Sequence, residues 1–215
     1  MSARTTAELV WYAAYGSNLH WPRFRCYLAG GRPPGSDRVH RPCADPRPPR
    51  ASAPATLPYP LRFAGTSPTW GGGIAFVDVG RRGAETRVRL YLVTMEQFAT
   101  VVAAEGHRPS VRLPARAAAA PAAYRVAAGA YGVVVRCGQR HGRPVMTVTG
   151  PPAGAPTTPP RPAYLRMIAA GLARTHGLSP GAVADYLAPV PGIAGHYGRD
   201  ELVAVAEERS PAPAR

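Results

Sequence analysis

The chain has 215 residues, with 26 basic residues against 12 acidic ones and a formal net charge of +14. This length is sufficient for one domain with a sizeable hydrophobic core. Every basic residue is an arginine, and many of them stand in proline-rich segments instead of on one helix face, so the charge does not favour a nucleic-acid partner. The three cysteines lack paired close spacing, which argues against a disulfide framework and against a zinc site.

Targeting and metal-binding signals are also lacking in the sequence. Residues 1–9 are polar without an apolar core, and no stretch reaches the length of a membrane span. We therefore expect a cytoplasmic protein with no membrane partner. The six histidines form no HxH, HxxxH or HxD group, which disfavours a metal-dependent deacylase or amidohydrolase, although distant ligands could still converge in the fold.

The first informative stretch covers residues 11–19. It begins with aromatic and small apolar residues, which predict a buried strand, and it breaks at Gly16-Ser17-Asn18. A strand that ends in such a loop can direct several backbone N–H groups at one point, where they bind a carbonyl oxygen or a carboxylate. Without further information, the same pattern is also typical of a core strand that leaves through an ordinary turn.

A short helix is predicted over residues 19–29, with Pro22 in its first turn and Gly30-Gly31 at its end. The next segment, 32–58, is dominated by Pro, Arg, Ala and Ser, and we expect no regular element in it. A loop of this length is either a lid or binding loop, or a solvated and poorly ordered insertion.

Apolar runs and alternation predict strands over 61–65, 73–79 and 86–93. The glycines after Trp70 allow a tight turn or a close backbone approach, and Trp70 itself is expected in the core. Thr94 and Gln97 have the spacing of a capping box, which starts a helix that carries Glu105 near its end.

The remaining sequence predicts a hairpin and two helices. Residues 130–137 and 144–149 are strand-like and are separated by a turn over 138–142, whereas 113–128 has no clear assignment. A helix is predicted over 163–176, ending at Gly177, and a second one from Ser179-Pro180 to about residue 187. We expect one α+β domain over residues 1–209 and a disordered tail over 210–215.

Four short motifs stand along the chain: Tyr15-Gly16-Ser17-Asn18-Leu19; Ser67-Pro68-Thr69-Trp70-Gly71-Gly72-Gly73-Ile74-Ala75; Glu105-Gly106; and Pro162-Ala163-Tyr164, followed by Gly171 and Gly177-Leu178. In content and order they are similar to motifs of the gamma-glutamylcyclotransferase-like family. The resemblance runs from residue 11 to about residue 187, with long stretches between the motifs that do not match. It implies a small mixed sheet curled into a barrel and flanked by helices, with the site at one mouth.

The resemblance also implies a reaction. The α-amine of a gamma-glutamyl substrate attacks its own γ-carbonyl, which releases 5-oxoproline and a free amine or amino acid. Because the substrate supplies the nucleophile, no metal or cofactor is expected. The resemblance makes Glu105 the catalytic proton shuttle. Without the resemblance, the same residue would be interpreted as an exposed glutamate at the C-terminal end of a helix. The implied substrate-binding residues are Tyr12, Ala13, Ala14, Tyr15, Gly16, Ser17, Asn18 and Tyr164.

Two departures from the family pattern leave the leaving group open. Some relatives carry a further tyrosine where this chain has Met146 or Thr147, and the 32–58 insertion is longer than in compact relatives. If the insertion faces the pocket, its arginines would favour a carboxylate-bearing leaving group. Two alternatives to the enzyme are a binding or regulatory module that retains the pocket and a basic nucleic-acid-binding protein.

Overall fold

The computed structural model describes residues 8–36, 38–114, 122–150 and 155–208. These ranges hold eight strands: β1 (Leu9–Ala14), β2 (Ser52–Leu57), β3 (Leu61–Ala64), β4 (Ile74–Val77), β5 (Thr86–Thr94), β6 (Ala123–Arg125), β7 (Val133–Arg140) and β8 (Arg143–Thr149). They also hold five α-helices: α1 (Trp21–Ala29), α2 (Met95–Glu105), α3 (Pro162–His176), α4 (Pro180–Leu187) and α5 (Arg199–Glu207). The predicted α+β class is confirmed. None of the described helices is long and apolar enough to cross a membrane.

Six of the strands form one mixed sheet in the order β2-β5-β1-β8-β7-β6, and β3 pairs with β4 in a separate ladder. The β1–β8 pair is parallel, whereas the other pairs of the sheet are antiparallel. The prediction of a mixed sheet flanked by helices is confirmed. The barrel is not closed, because β2 and β6 are the two edges of the hydrogen-bonded sheet formed by the described strands.

Strand β1 lies at the centre of this sheet, and all six of its residues are buried. Tyr12 pairs with Tyr91 of β5 on one side and with Met146 of β8 on the other. A strand that is covered on both faces reads as a continuous apolar run, which explains why the sequence predicts it so clearly. The loop that follows β1 therefore leaves from the best-anchored strand of the fold.

The expectation of no regular element in 32–58 is wrong at its C-terminal end, where Ser52–Leu57 forms β2. This strand pairs with β5 along one side only and is largely exposed. An edge strand tolerates Pro54, because one row of its backbone groups needs no partner. The composition of the segment therefore concealed a strand that the sheet can accept only at its edge.

The predicted capping box of α2 is confirmed. Thr94 Oγ1 accepts a hydrogen bond from the Gln97 backbone N–H at 3.1 Å, and Gln97 Oε1 accepts one from the Thr94 N–H at 3.0 Å. The Gln97 side-chain amide also donates to the carbonyl oxygens of Asp45 and Arg47 at 3.0 and 2.9 Å. The start of α2 is thus tied to the insertion, and its last residue is Glu105.

The hairpin turn is shorter than predicted. Strand β7 continues to Arg140, and the two-residue turn His141-Gly142 joins it to β8 with φ angles of 49° and 70°. Positive φ at both central positions is the arrangement that fits the twist of a two-residue hairpin. Gly138, predicted to lie in the turn, instead lies at a register shift inside β7 between Arg136 and Gln139.

At the C-terminal end, α3 and α4 are found where they were predicted, and α3 ends at Gly177 in the left-handed conformation. Gly171 of α3 lies against the loop after β1, since a Cβ there would come within 2.3 Å of Leu19 Cβ. Helix α5 was not predicted from the sequence. The predicted tail, 210–215, and residues 115–121 of the unassigned segment lie outside the described residues.

Candidate functional site

The loop after β1 folds into one 3₁₀ turn over Ser17–Leu19, in which the Leu19 N–H donates to the Gly16 carbonyl and the His20 N–H to the Ser17 carbonyl. Within the described part of the chain, the backbone N–H groups of Gly16 and Ser17 have no acceptor. Such paired N–H groups at a turn can hold an oxyanion or a carboxylate. The binding role predicted for Gly16-Ser17-Asn18 stays a prediction.

Glu105 meets this loop. Asn18, which is 2 % exposed, donates from Nδ2 to Glu105 Oε1 at 2.5 Å and to the Tyr12 hydroxyl at 3.2 Å. The Tyr27 hydroxyl of α1 also acts to lower the pKa of the Glu105 carboxyl. The carboxylate is therefore held by Asn18 of the loop after β1, and Asn18 is in turn hydrogen-bonded to Tyr12 of β1.

Burial raises the pKa of Glu105 above its ordinary value. The positive charge of Arg23 acts in the opposite direction, as do the hydrogen bond from Asn18 and the hydroxyl of Tyr27, but burial is the larger effect. A carboxylate with a raised pKa can accept and return a proton nearer to neutral pH. This environment differs from that of an exposed glutamate at a helix end.

Two tyrosines face Glu105 from the other side of the cleft. The Tyr164 hydroxyl accepts from the Ala75 N–H at 3.3 Å, and the Tyr131 hydroxyl donates to the Ala75 carbonyl at 2.8 Å. Burial raises the pKa of Tyr164 to about 12 and that of Tyr131 well above its ordinary value. Both side chains are therefore neutral near pH 7 and available as hydrogen-bonding groups.

These residues line two adjoining cavities that share Ser17, Glu105, Tyr131 and Tyr164. The inner cavity is the smaller of the two and is bordered by the loop after β1. The outer cleft is larger and is lined in part by the insertion. The outer cleft is also lined by Arg23, Tyr27, Ser36, Arg38, His40, Thr66, Ser67, Pro68, Thr69, Trp70, Ile74, Ala104, His107 and Ala130.

Arg23 and Trp70 form one wall of the outer cleft. The Arg23 Nε donates to Ser17 Oγ at 2.8 Å, and its guanidinium carbon lies 5.1 Å from the centre of the Trp70 ring. Ser67 Oγ accepts from the Thr69 and Trp70 N–H groups, which fixes the segment that carries the indole. Trp70 was expected in the core, but it is partly exposed and borders the cleft.

The insertion contributes the opposite side of the outer cleft. Gly31 and His40 exchange two backbone hydrogen bonds, which close the loop between them. At its tip, Gly35 has a φ of 70° and approaches the Trp70 ring so closely that a Cβ would lie 2.7 Å from it. The Arg38 guanidinium contacts His107 Nδ1 just beyond α2. Ser36, Arg38 and His40 line the outer cleft, so this part of the insertion faces it.

The structure brings together most of the predicted site residues: Tyr12, Tyr15, Gly16, Ser17, Asn18, Glu105 and Tyr164 all line the inner cavity. It does not bring Ala13 and Ala14 there, because both are fully buried in β1, where the Ala13 carbonyl accepts from Thr147 Oγ1. Thr147 therefore points at the neighbouring strand. Sequence reasoning missed Arg23, Tyr27 and Tyr131; a four-residue spacing on α1 links the first two, whereas no local signal marks Tyr131.

In the described ranges, no group of three His, Cys, Asp or Glu side chains has the geometry of a metal site. Arg23 and Arg38 are the cations of the outer cleft, and Glu105 is the acidic residue among its described lining residues. The pKa of His40 is lowered to about 4, and that of His107 is lowered as well, in both cases mainly by burial. Both imidazoles are therefore neutral near pH 7.

No protein-family model matches the chain. Among curated proteins, histone deacetylase 5 of Arabidopsis thaliana is 39% identical over 99 residues, which are 45% of this chain and 15% of that protein. The chain thus spans a small part of that relative, and the match says nothing about the remainder of it.

Two solved structures resemble the whole fold. One is a gamma-glutamyl cyclotransferase, with a TM-score of 0.52 and 18% identity over 93% of this chain and 99% of that chain. The other is an uncharacterised protein from Homo sapiens, with a TM-score of 0.51 and 19% identity over 94% and 99%. The chain therefore has a gamma-glutamyl-cyclotransferase-like fold.

Proposed function

On this fold and with this cleft, we propose that the chain cleaves gamma-glutamyl amides by intramolecular cyclisation. The α-amine of the glutamyl group forms a bond to its own γ-carbonyl carbon, and the bond from that carbon to the leaving amine breaks. The products are 5-oxoproline and a free amine or amino acid. No water, metal or enzyme nucleophile enters the bond changes.

The observation that carries this proposal is the environment of Glu105. Its carboxylate lies at the junction of the two cavities, is hydrogen-bonded by Asn18, and has a pKa raised by burial. In the proposed reaction, Glu105 takes a proton from the attacking ammonium and returns one to the leaving nitrogen. A group whose pKa approaches the working pH is suited to both steps.

The inner cavity would hold the glutamyl half. The unpartnered N–H groups of Gly16 and Ser17 can bind its carboxylate or the oxyanion that forms at the γ-carbon. The buried Oδ1 of Asn18 has no partner among the described residues and can accept from the substrate ammonium. Holding the amine against the carbonyl contributes strongly to a five-membered ring closure, because both reacting groups belong to one molecule.

The position of the cysteines is consistent with a substrate-supplied nucleophile. Cys26, Cys43 and Cys137 line neither the inner cavity nor the outer cleft. Burial raises the pKa of each thiol, which keeps it in the less reactive protonated form.

The test is to incubate the protein with a panel of gamma-glutamyl amides and to detect 5-oxoproline by mass spectrometry. The panel pairs amino-acid with simple amine leaving groups, and the Glu105→Gln variant is the control for background cyclisation. Release of 5-oxoproline by the wild-type protein alone supports the proposal. Calorimetric binding of 5-oxoproline without turnover of any amide would instead favour a non-catalytic binding module.

A further inference from the structure

The turn that follows Glu105 is joined to a second loop of the site by one side chain. We propose that Arg108 is a positioning residue: its guanidinium holds the loop over residues 128–131 against the end of α2, and so places Tyr131 opposite Glu105. This inference rests on the proposed cyclotransferase function and adds to it a residue that lies outside the reacting groups.

The contacts of the Arg108 guanidinium are the first observation. Its Nη1 donates to the Tyr131 carbonyl at 3.2 Å, and its Nη2 donates to the Ala128 and Ala130 carbonyls at 2.8 and 3.1 Å. A guanidinium carries its N–H donors in one fixed plane, so a single side chain can hold several carbonyl groups at once. The partners are 20 to 23 positions away in the sequence, and these hydrogen bonds therefore join two separate parts of the fold.

The second observation is the turn that directs Arg108 at this loop. The Arg108 N–H donates to the Ala103 carbonyl at 2.8 Å, and the His107 N–H donates to the Ala104 carbonyl at 3.1 Å. His107 has a left-handed φ of 53°, as is common for the residue that ends a helix. The backbone of Arg108 is therefore fixed to the same turn of α2 that carries Glu105.

The third observation is that Gly106 leaves the space that the guanidinium occupies. A Cβ at this position would collide with Nη1 and Cζ of Arg108. The φ of Gly106 is −83°, so its backbone would accept alanine. A flexible side chain can usually move aside, but here that movement would break the hydrogen bonds of Arg108 to the loop. The glycine after Glu105 thus has a steric reason, and that reason is Arg108.

The backbone conformation of Tyr131 is the fourth observation. Its φ is 51°, a left-handed conformation that bulky side chains rarely adopt. Such a conformation persists only where surrounding contacts hold it, and positions of this kind are concentrated at functional sites. The Tyr131 carbonyl accepts from Arg108, while its hydroxyl donates to the Ala75 carbonyl at 2.8 Å. Arg108 therefore fixes the backbone of this residue, and Ala75 fixes the other end of its side chain.

The positions of these residues around the site give the consequence for function. Tyr131 and Glu105 border both cavities, whereas Arg108 borders neither. An effect of Arg108 on the reaction must therefore act through the residues that it positions. In the proposed reaction the glutamyl half lies in the inner cavity, where Tyr131 is part of the wall. A displacement of about 1 Å in such a site can lower turnover by roughly a hundredfold.

The first test is a double-mutant cycle on activity. Arg108→Ala should lower kcat/KM for gamma-glutamyl amides by roughly ten- to hundredfold through displacement of the site. In a Tyr131→Phe background the same substitution should lower kcat/KM far less, because the hydroxyl that Arg108 positions is already gone. Losses that simply add would overturn the inference, since Arg108 would then affect activity independently of Tyr131. Wild-type activity in Arg108→Ala would overturn it as well.

A second variant removes the contacts but keeps the arginine. Gly106→Ala should displace the guanidinium and reproduce the loss of activity seen in Arg108→Ala. The double variant should be no worse than Arg108→Ala alone, because the collision disappears with the side chain. The control is Arg112→Ala, at an exposed arginine that lines neither cavity, and it should retain wild-type activity. Wild-type activity in Gly106→Ala would contradict the proposed role of these hydrogen bonds.

A spectroscopic measurement keeps the inference separate from the proposed function. After incorporation of 3-fluorotyrosine, the fluorine NMR resonance of Tyr131 is identified by its loss in Tyr131→Phe. Arg108→Ala and Gly106→Ala should both shift this resonance, and Arg112→Ala should not. If no amide yields 5-oxoproline, the proposed reaction fails, but a shifted resonance still supports the positioning of Tyr131 by Arg108. An unchanged resonance in Arg108→Ala and Gly106→Ala would overturn the inference whether or not the protein is an enzyme.

Discussion

Asn18 Nδ2 donates to Glu105 Oε1 over 2.5 Å, so the loop after β1 and the last residue of α2 share one hydrogen bond. The two residues are 87 positions apart in the sequence, and neither is strongly marked on its own. Their contact turns a glycine-containing turn and a helix-terminal carboxylate into one site. It also means that the turn can influence the proton affinity of the carboxylate directly.

The first prediction concerns turnover. Glu105→Gln keeps the shape of the side chain and its acceptor for Asn18, but it removes the proton shuttle. We expect the turnover number to fall by roughly two to four orders of magnitude, the usual contribution of general acid–base catalysis. Affinity for 5-oxoproline, measured by calorimetry, should change little. A variant that turns over at the wild-type rate would remove Glu105 from the mechanism.

The second prediction concerns pH. Since burial raises the pKa of Glu105 and the base must be ionised, kcat/KM should fall with decreasing pH through a pKa above that of an ordinary glutamate. Arg23 lowers that pKa, so Arg23→Gln should move the acidic limb to higher pH. This pH dependence should be measured with a gamma-glutamyl substrate whose leaving amine carries no charge. The substitution of Arg23 then cannot change kcat/KM through attraction of a charged leaving group.

Two comparisons identify the titrating group in that experiment. Arg140→Gln should leave the limb where it is, because Arg140 lies outside the cleft. The residual activity of Glu105→Gln should lack the limb altogether. If that variant retains it, a histidine of the outer cleft, His40 or His107, is titrating instead.

The third prediction concerns the space above Gly16. Its φ is −99°, so a positive φ is not what restricts this position. The restriction is Tyr164, whose hydroxyl would lie 2.9 Å from an added Cβ. Gly16→Val should abolish binding of 5-oxoproline, and Gly16→Ala should lower turnover by roughly ten- to hundredfold through displacement of the site.

A double variant tests that explanation. Tyr164→Phe removes the hydroxyl that the new methyl group meets, so it should recover part of the thermal stability lost in Gly16→Ala. The Tm values of the two single variants and the double variant form a cycle that isolates the contact. If the Tm changes of the two single variants simply add in the double variant, the methyl group does not contact the Tyr164 hydroxyl. The cause of the restriction at Gly16 would then be a different contact.

The fourth prediction concerns the insertion. Because Gly31 and His40 are joined by two backbone hydrogen bonds, residues 32–39 can be replaced by a short Gly/Ser turn without disturbing β2. We expect the preference among gamma-glutamyl substrates to change while 5-oxoproline affinity stays nearly the same. Competition between matched leaving groups measures this, with Arg50→Ala as a control inside the insertion but outside the cleft. An unchanged order of preference would make the loop a surface feature.

The fifth prediction concerns stability. The folded protein raises the pKa of Glu105, so it binds that proton more tightly than the unfolded chain does. The stabilising contribution of the protonated form is complete below the unfolded pKa and is lost as the pH rises through the folded one. Glu105→Gln should therefore have a higher Tm than the wild-type protein at pH 8, and the difference should shrink toward pH 4. A lower Tm at pH 8 would contradict this.

Much of the scaffold could be predicted because its signals are local. The capping box of Thr94 and Gln97 and the Gly177 stop each depend on residues within one turn of a helix. Strand β2 was missed because its Pro-containing sequence is acceptable only at an edge, and edges are decided by the whole sheet. Helix α5 had a weaker local signal, because Gly198 has no side chain that could cap the helix. The Gly198 N–H does donate to the Glu201 carboxylate.

The site was predictable where a motif marks it and not where tertiary contacts make it. Tyr131 reaches Ala75 across 56 positions from a left-handed backbone conformation, with φ at 51°. No spacing rule connects those two residues. Likewise, the sequence shows that Arg23 is on a short helix, but the absence of a partner for its Nη1 depends on everything that packs around it.

Helix α2 has eleven residues and is therefore about 16 Å long. Its first turn is fixed to the insertion through Gln97, and its last residue is Glu105. One end of the helix is thus hydrogen-bonded to the Asp45–Arg47 segment, and the other end carries the proposed catalytic carboxylate. A shift of the Asp45–Arg47 segment would therefore move α2 along its axis. The position of Glu105 relative to Asn18 thus depends partly on residues that do not contact the substrate.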